Sequence, residues 1–173
     1  SGPPLSVRVT DVLGPAGDTP DPGLLAGLCR RLGESRPGGL EALRLGGFDA
    51  SRLGGFDALV LAAAGTRDAR ARRSVGRVAD ALGGEFGVPC RVAYASAAPP
   101  AAGVAVSRVR ASGARRVAVS ADFLAPGLFH DAVAEAARAA GAVAVAEPLT
   151  DAPELVELVL RRVDDRPVLA SAG

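Results

Sequence analysis

The sequence predicts an α/β fold: a parallel four-stranded sheet flanked by helices, forming one soluble domain. Short, wholly apolar runs recur about every 25 to 35 residues from Asp57 onward, the size of a βα unit. Apolar residues at helical spacing follow them. The runs carry few polar residues in alternation, as expected of strands covered on both faces. Strands alternating with helices make a parallel sheet with right-handed crossovers the default.

Ala58-Leu59-Val60-Leu61-Ala62 is the first such strand, and Arg91-Val92-Ala93-Tyr94, Val117-Ala118-Val119 and Val143-Ala144-Val145 are the next three. After the first, Val75, Val78, Ala79 and Leu82 fall on one helical face, with Asp68 placed to cap the helix. Phe129, Val133, Ala137 and Ala140 trace a second face. Leu155, Val156, Val159 and Val163 trace a third, opened by Asp151 and Pro153.

The first 56 residues read differently. Val7-Arg8-Val9 is a short strand, and a helix runs from about Pro22 to Leu32. In the Gly-rich stretch after it, the run from Arg44 to Ala50 recurs from Arg52 to Ala58. So short a period forms no fold and reads as a slippage tolerated in a surface loop. A longer echo is more informative. The strand from Val7 to Leu13 resembles that from Val143 to Leu149, and Pro22 through Leu32 aligns without gaps with Pro153 through Val163. Both helices end in paired arginines, Arg30-Arg31 and Arg161-Arg162. Residues 5–33 therefore read as the last strand and helix of a preceding copy of the unit. The resulting division is 1–33 strand-helix tail, 34–56 linker, 57–165 α/β domain and 166–173 C-terminal tail.

Leu24, Leu25, Leu28 and Leu32 give the N-terminal helix an apolar face worth on the order of 6 to 10 kcal/mol of burial before entropy. That face should dock on this chain's own sheet or across a homodimer. Exchange with a second molecule is the favoured expectation, because a two-fold would restore repeat-against-repeat pairing.

Net charge is +1 with acidic and basic residues interspersed, so nothing asks for a nucleic-acid partner. All basic residues are arginine, and lysine, Met and Trp are absent, a pattern of GC-rich codons. Ser1-Gly2 in place of an initiator reads either as a tag scar on a fragment or as the chain's own start. No run approaches the roughly 20 apolar residues of a membrane span. Cys29 and Cys90 match no metal or redox spacing and read as core residues in a reducing cytoplasm.

Ligands of a parallel α/β sheet bind beyond the carboxyl ends of its strands. The first loop there, Ala63-Ala64-Gly65-Thr66-Arg67-Asp68, is neither a P-loop nor a dinucleotide fingerprint. Thr66 and Arg67 could hold an anion, or Arg67 is simply solvated. The second, Ala95-Ser96-Ala97-Ala98-Pro99-Pro100, is nearly featureless. The third, from Asp122 to Asp131, holds the lone histidine, His130. With no second His or Cys in these loops, a transition-metal site within the chain is not expected.

Taken together, the loops resemble the CbiX-type class II sirohydrochlorin chelatases of cobalamin and sirohaem synthesis. That family's repeat opens with a strand and a small-His-Gly-Ser/Thr-Arg-Asp loop; Leu61 through Asp68 follow it, with Ala64 in the histidine's place. Its second strand ends with an acidic residue, where this chain has Ser96. Its third leads into Phe-Leu-x-x-Gly-x-His, matched by Phe123 through Phe129, with Phe129 where the histidine belongs and His130 one place on.

The resemblance covers residues 57–165 and, as a repeat tail, 5–33. It implies a fold of one repeat, found in the family as homodimers or as two fused repeats with one cleft. In that family the histidines take the incoming cobalt or iron ion and a carboxylate accepts pyrrole protons. Here the resemblance implies a degenerate half with no cofactor of its own, lining a tetrapyrrole cleft through Gly65, Thr66, Arg67, Ser96 and Phe129. Its partner would be a catalytic repeat. Two alternatives stay open: an active lyase that uses His130 as its catalytic residue, and a stand-alone tetrapyrrole or anion-binding module with Arg67 as carboxylate partner.

Overall fold

The structure, a computed structural model, describes residues 19–35 and 55–164. The expected strand near Val7, most of the linker with its local duplication, and the C-terminal tail lie outside the described residues.

In chain order the elements are α1 (Pro22–Glu34), β1 (Ala58–Ala63), α2 (Ala69–Phe86), β2 (Cys90–Tyr94), α3 (Ala102–Ala111), β3 (Val117–Asp122), α4 (Leu128–Ala139), β4 (Ala144–Val145) and α5 (Pro153–Asp164). All strand pairs are parallel, in the order β2-β1-β3-β4. The expected parallel sheet with helices on both faces is what forms. Asp68 caps α2 as its position suggested, accepting from the Arg70 amide at 2.8 Å. Gly87 ends that helix in the left-handed conformation (φ 65°) that glycine adopts without steric cost.

Every residue of the central strand β1 is buried, and its side chains alternate between two cores. Leu59 and Leu61 join residues of α1, α2 and α5 in one layer. Ala58, Val60 and Ala62 join residues of α3 and α4 in the other. The second layer is built almost wholly of Ala and Val.

The N-terminal helix docks on this chain's own sheet, the first of the two arrangements expected of it. Asp21 caps it through the Gly23 amide at 2.8 Å. Leu28 and Leu32 are fully buried, and Leu24 and Cys29 nearly so, against α2, β3 and α5. The uncovered half of the sheet lies within reach in the same chain, and ion pairs hold α1 there. Arg30 Nε lies 2.9 Å from Glu154, Arg31 pairs with Asp151, and Asp21 faces Arg161 and Arg162 at 3.7 and 3.6 Å.

Two helical faces differ from the sequence expectation. In α4 the inward positions are His130, Val133, Ala134 and Ala137, while Phe129 is 53% exposed. The helix is turned so that the imidazole, which finds a carbonyl partner, goes inward. In α5 only Leu155 and Leu158 are buried, and Val156, Val159 and Val163 are exposed. The reason is steric order: α1 lies against β3, and α5 packs chiefly on α1.

Leu28→Ala should therefore destabilise the chain by about 2 to 5 kcal/mol. Leu160→Ala, on the exposed side of α5, should change stability by no more than about 0.5 kcal/mol. Urea unfolding of the two variants checks the docking of α1 directly.

Candidate functional site

Because the strands are parallel, the loops after β1, β2, β3 and β4 gather at one edge of the sheet. The first two are knitted together. The Ala95 amide donates to Ala63 O at 2.9 Å, and the Ser96 amide to Ala64 O at 3.0 Å. Ser96 Oγ donates to the same Ala64 oxygen at 2.9 Å. Gly65 sits in this seam with φ 107°, and a Cβ there would stand 1.9 Å from the Ser96 carbonyl oxygen. Only glycine fits, for both reasons.

Beyond the seam, Thr66 Oγ1 accepts from the Asp68 amide at 3.1 Å. Arg72 braces the turn, donating to Thr66 O at 3.2 Å and Arg67 O at 2.7 Å. The Arg67 side chain is exposed, and among the described residues its guanidinium has no partner. The structure thus brings Gly65, Thr66, Arg67 and Ser96 into one rim.

The β3–α4 loop supplies the apolar part of this edge. Leu124, Leu128 and Phe129 are 52%, 87% and 53% exposed, an unusual concentration of large apolar side chains in six residues. His130 points the other way. Its Nε2 lies 3.1 Å from Ala146 O, the ring meets Phe123 edge-on at 6.2 Å, and Nδ1 is 3.7 Å from Asp131. The contact with a carbonyl requires Nε2 to carry the proton. What remains for other chemistry is Nδ1, on a side chain that is 9% exposed.

One titratable group of this edge escaped the sequence reading. β3 runs on through Ser120 and Ala121 to Asp122, which pairs in register with Ala63, itself paired with Tyr94. By strand alternation Tyr94, Ala63 and Asp122 form a row facing the α1–α2–α5 layer. Ser120, one step down that face, is fully buried, and its hydroxyl has no partner among the described residues. Burial pushes the Asp122 carboxyl up to about 6. Burial also pushes the Tyr94 hydroxyl up, partly offset by the Arg72 guanidinium. The small alternating residues after Val119 were the available signal, but a strand ending in Ser-Ala-Asp reads as a loop. Among the described residues no three His, Cys, Asp or Glu side chains group so as to hold a metal ion. Cys29 and Cys90 are buried free thiols, both pushed to about 12 by burial. No helix among the described residues is long and apolar enough to cross a membrane.

Comparison with known proteins agrees with this architecture. The family model CbiX matches residues 58–166. Among solved structures, a protein of Marinobacter aquaeolei VT8 named as a CbiX protein of cobalamin (vitamin B12) biosynthesis superposes with a TM-score of 0.50 at 23% identity. That match covers 62% of this chain and 93% of the other. SirB from Bacillus subtilis, solved with Fe3+, superposes with a TM-score of 0.64 at 15% identity, covering 90% of this chain and 56% of SirB. An alignment of that extent reaches well ahead of β1. Among curated proteins none matches the chain.

Two outcomes follow from the seam and the row. Gly65→Ala should lower stability by several kcal/mol, about 2 to 4, because strain and clash combine; thermal unfolding measures it. A carboxyl raised in the folded state favours folding when protonated, so ionising Asp122 removes stability as pH rises from its unfolded value near 3.8 through about 6. Asp122→Asn should raise stability at pH 7.5 by up to about 3 kcal/mol and flatten that slope, read by urea unfolding between pH 4 and 7.5.

Proposed function

Because the chain belongs to the CbiX family, we propose that it is the non-catalytic half of a two-repeat tetrapyrrole chelatase, walling a cleft in which a catalytic repeat inserts cobalt or iron into sirohydrochlorin. One observation carries this reading. Where metal insertion needs imidazoles to receive the ion and a base to take two pyrrole protons, the rim presents the Ala64 methyl, the Ser96 hydroxyl and the Phe129 ring. Ser96 moreover uses its hydroxyl proton on the Ala64 carbonyl.

What the edge retains suits a binding wall. Leu124, Leu128 and Phe129 offer an apolar surface for the flat macrocycle. Arg67 offers a charged donor for one of its peripheral carboxylates. The echo between residues 5–33 and 143–163, together with a SirB alignment that extends ahead of β1, supports reading α1 as the end of a preceding repeat. The buried unpaired thiols suit a cytoplasmic location. A second reading, a stand-alone tetrapyrrole or anion-binding module, is favoured by Arg67, exposed and without a partner among the described residues, on the same sheet edge as that apolar surface.

A spectral titration of the chain with sirohydrochlorin, with and without Co2+, separates these readings. A half-site should take up no metal and bind the macrocycle weakly or not at all alone. Binding without metal uptake, weakened roughly 3- to 30-fold by Arg67→Ala, would instead mark the module. Calorimetry with Co2+ or Fe2+ at micromolar concentration should find no tight site. Metal uptake that disappears in a folded His130→Ala variant would overturn the proposal in favour of an active lyase.

A further inference from the structure

The charges of the chain are unevenly spread. Residues 67–77 hold five of its 20 arginines and one of its 19 acidic residues, Asp68, so this segment carries a formal +4 and the rest of the chain −3. The segment runs from the β1–α2 loop at the rim into the first turns of α2. Two of the five arginines are engaged. Arg72 donates to the Thr66 and Arg67 carbonyls, and Arg77 Nη2 to Ser74 Oγ at 3.0 Å. Arg67, Arg70 and Arg73 are exposed, and their guanidinium groups have no partner among the described residues.

Helix stability does not account for this pattern. Arg70 stands in the first turn of α2, which holds no acidic residue and where a cation opposes the macrodipole. Asp68, the N-cap, uses its carboxylate on the Arg70 amide. Arg70, Arg73 and Arg77 follow at i, i+3 and i+7, on the side of the helix opposite the buried Val78, Ala79 and Leu82. Like charges at that spacing repel one another. The surface therefore weakens the helix that carries it, and its field attracts anions to the rim.

We infer that Arg67, Arg70 and Arg73 form a recognition strip for a ligand with several carboxylates, drawing it to the rim and selecting it by its number of charges. The inference rests on the reading of this edge as a tetrapyrrole wall and adds what sets its specificity. One guanidinium pairs fork-to-fork with one carboxylate, so Arg67 alone distinguishes poorly between macrocycles with few and many. Three unpaired guanidinium groups in succession do distinguish them. Leu124, Leu128 and Phe129 take the flat frame whatever its charge. The negative remainder of the chain gives a longer polyanion such as nucleic acid no further hold.

The test compares two fluorescent porphyrins on the 173-residue chain: uroporphyrin, an octacarboxylate, and mesoporphyrin, a dicarboxylate. Uroporphyrin should bind roughly tenfold or more tightly than mesoporphyrin at about 20 mM salt, and this advantage should shrink at least about threefold at about 200 mM. Arg70→Glu combined with Arg73→Glu should abolish the advantage and leave mesoporphyrin binding unchanged. Because the new carboxylates suit the start of a helix, the Tm of that variant should hold or rise. Equal affinity for the two porphyrins, no uroporphyrin binding at low salt, or a double variant that keeps the preference would overturn the inference. Displacement of uroporphyrin by an equal concentration of inorganic tripolyphosphate would overturn it too, in favour of a strip for any polyanion. Metal uptake in the spectral titration would remove the non-catalytic reading and leave this charge dependence untouched, so the two failures are distinguishable.

Discussion

The burial of β1 on both of its faces is the constraint from which the rest of the structure proceeds. A strand with no solvent-facing side must be apolar throughout, and each of its edges must be paired to satisfy its amides and carbonyls. β2 and β3 therefore flank it, and two helical layers must close over it. The layers are unequal. One is built almost wholly of Ala and Val and is closed by two helices, whereas the other carries leucines and is closed by three, one of them from ahead of the sheet. Parallel pairing then delivers every βα loop to the same edge, which is why the candidate site is one place rather than several.

At that edge backbone contacts define the shape of the first two loops. Gly65 still fits where no side chain could, and Ser96 still locks the second loop onto the first. These contacts hold the backbone independently of what the side chain of residue 64 carries. The methyl group of Ala64 is therefore not what shapes the loop. Asp122 is the contrasting case: a carboxyl raised to about 6 by its surroundings weakens the folded state at neutral pH.

The fold was legible wherever side-chain pattern alone decides. The apolar runs at Leu59 and Val92 and the helical face at Val78, Ala79 and Leu82 formed as read. What escaped was decided by partners distant in sequence. Phe129 read as a core residue, yet it is His130 that turns inward, because hydrophobicity cannot register that the Ala146 carbonyl waits for an imidazole. Val156, Val159 and Val163 formed a credible inward face, but which stripe of α5 is covered depends on α1, more than a hundred residues earlier. Asp122 was hidden because its neighbours Ser120 and Ala121 lack strand-like bulk, yet hydrogen-bond in register with Leu61 and Ala62. The rim residues Gly65, Thr66, Arg67 and Ser96 were legible as a group because they are consecutive or flank adjacent strands.

The position of α1 ahead of the sheet that it covers sets a condition on biosynthesis. On the ribosome, Leu24, Leu28 and Leu32 emerge before any strand of this repeat exists. The sheet surface that receives them is complete only when β3 has been made, about 90 residues later, which at typical elongation rates is on the order of 5 to 20 seconds. For that interval the leucine stripe of α1 has no seat on this sheet. Vectorial folding therefore runs against this topology: α1 is made before the sheet that seats it, and the nascent chain must keep that stripe from other hydrophobic surfaces until the sheet arrives.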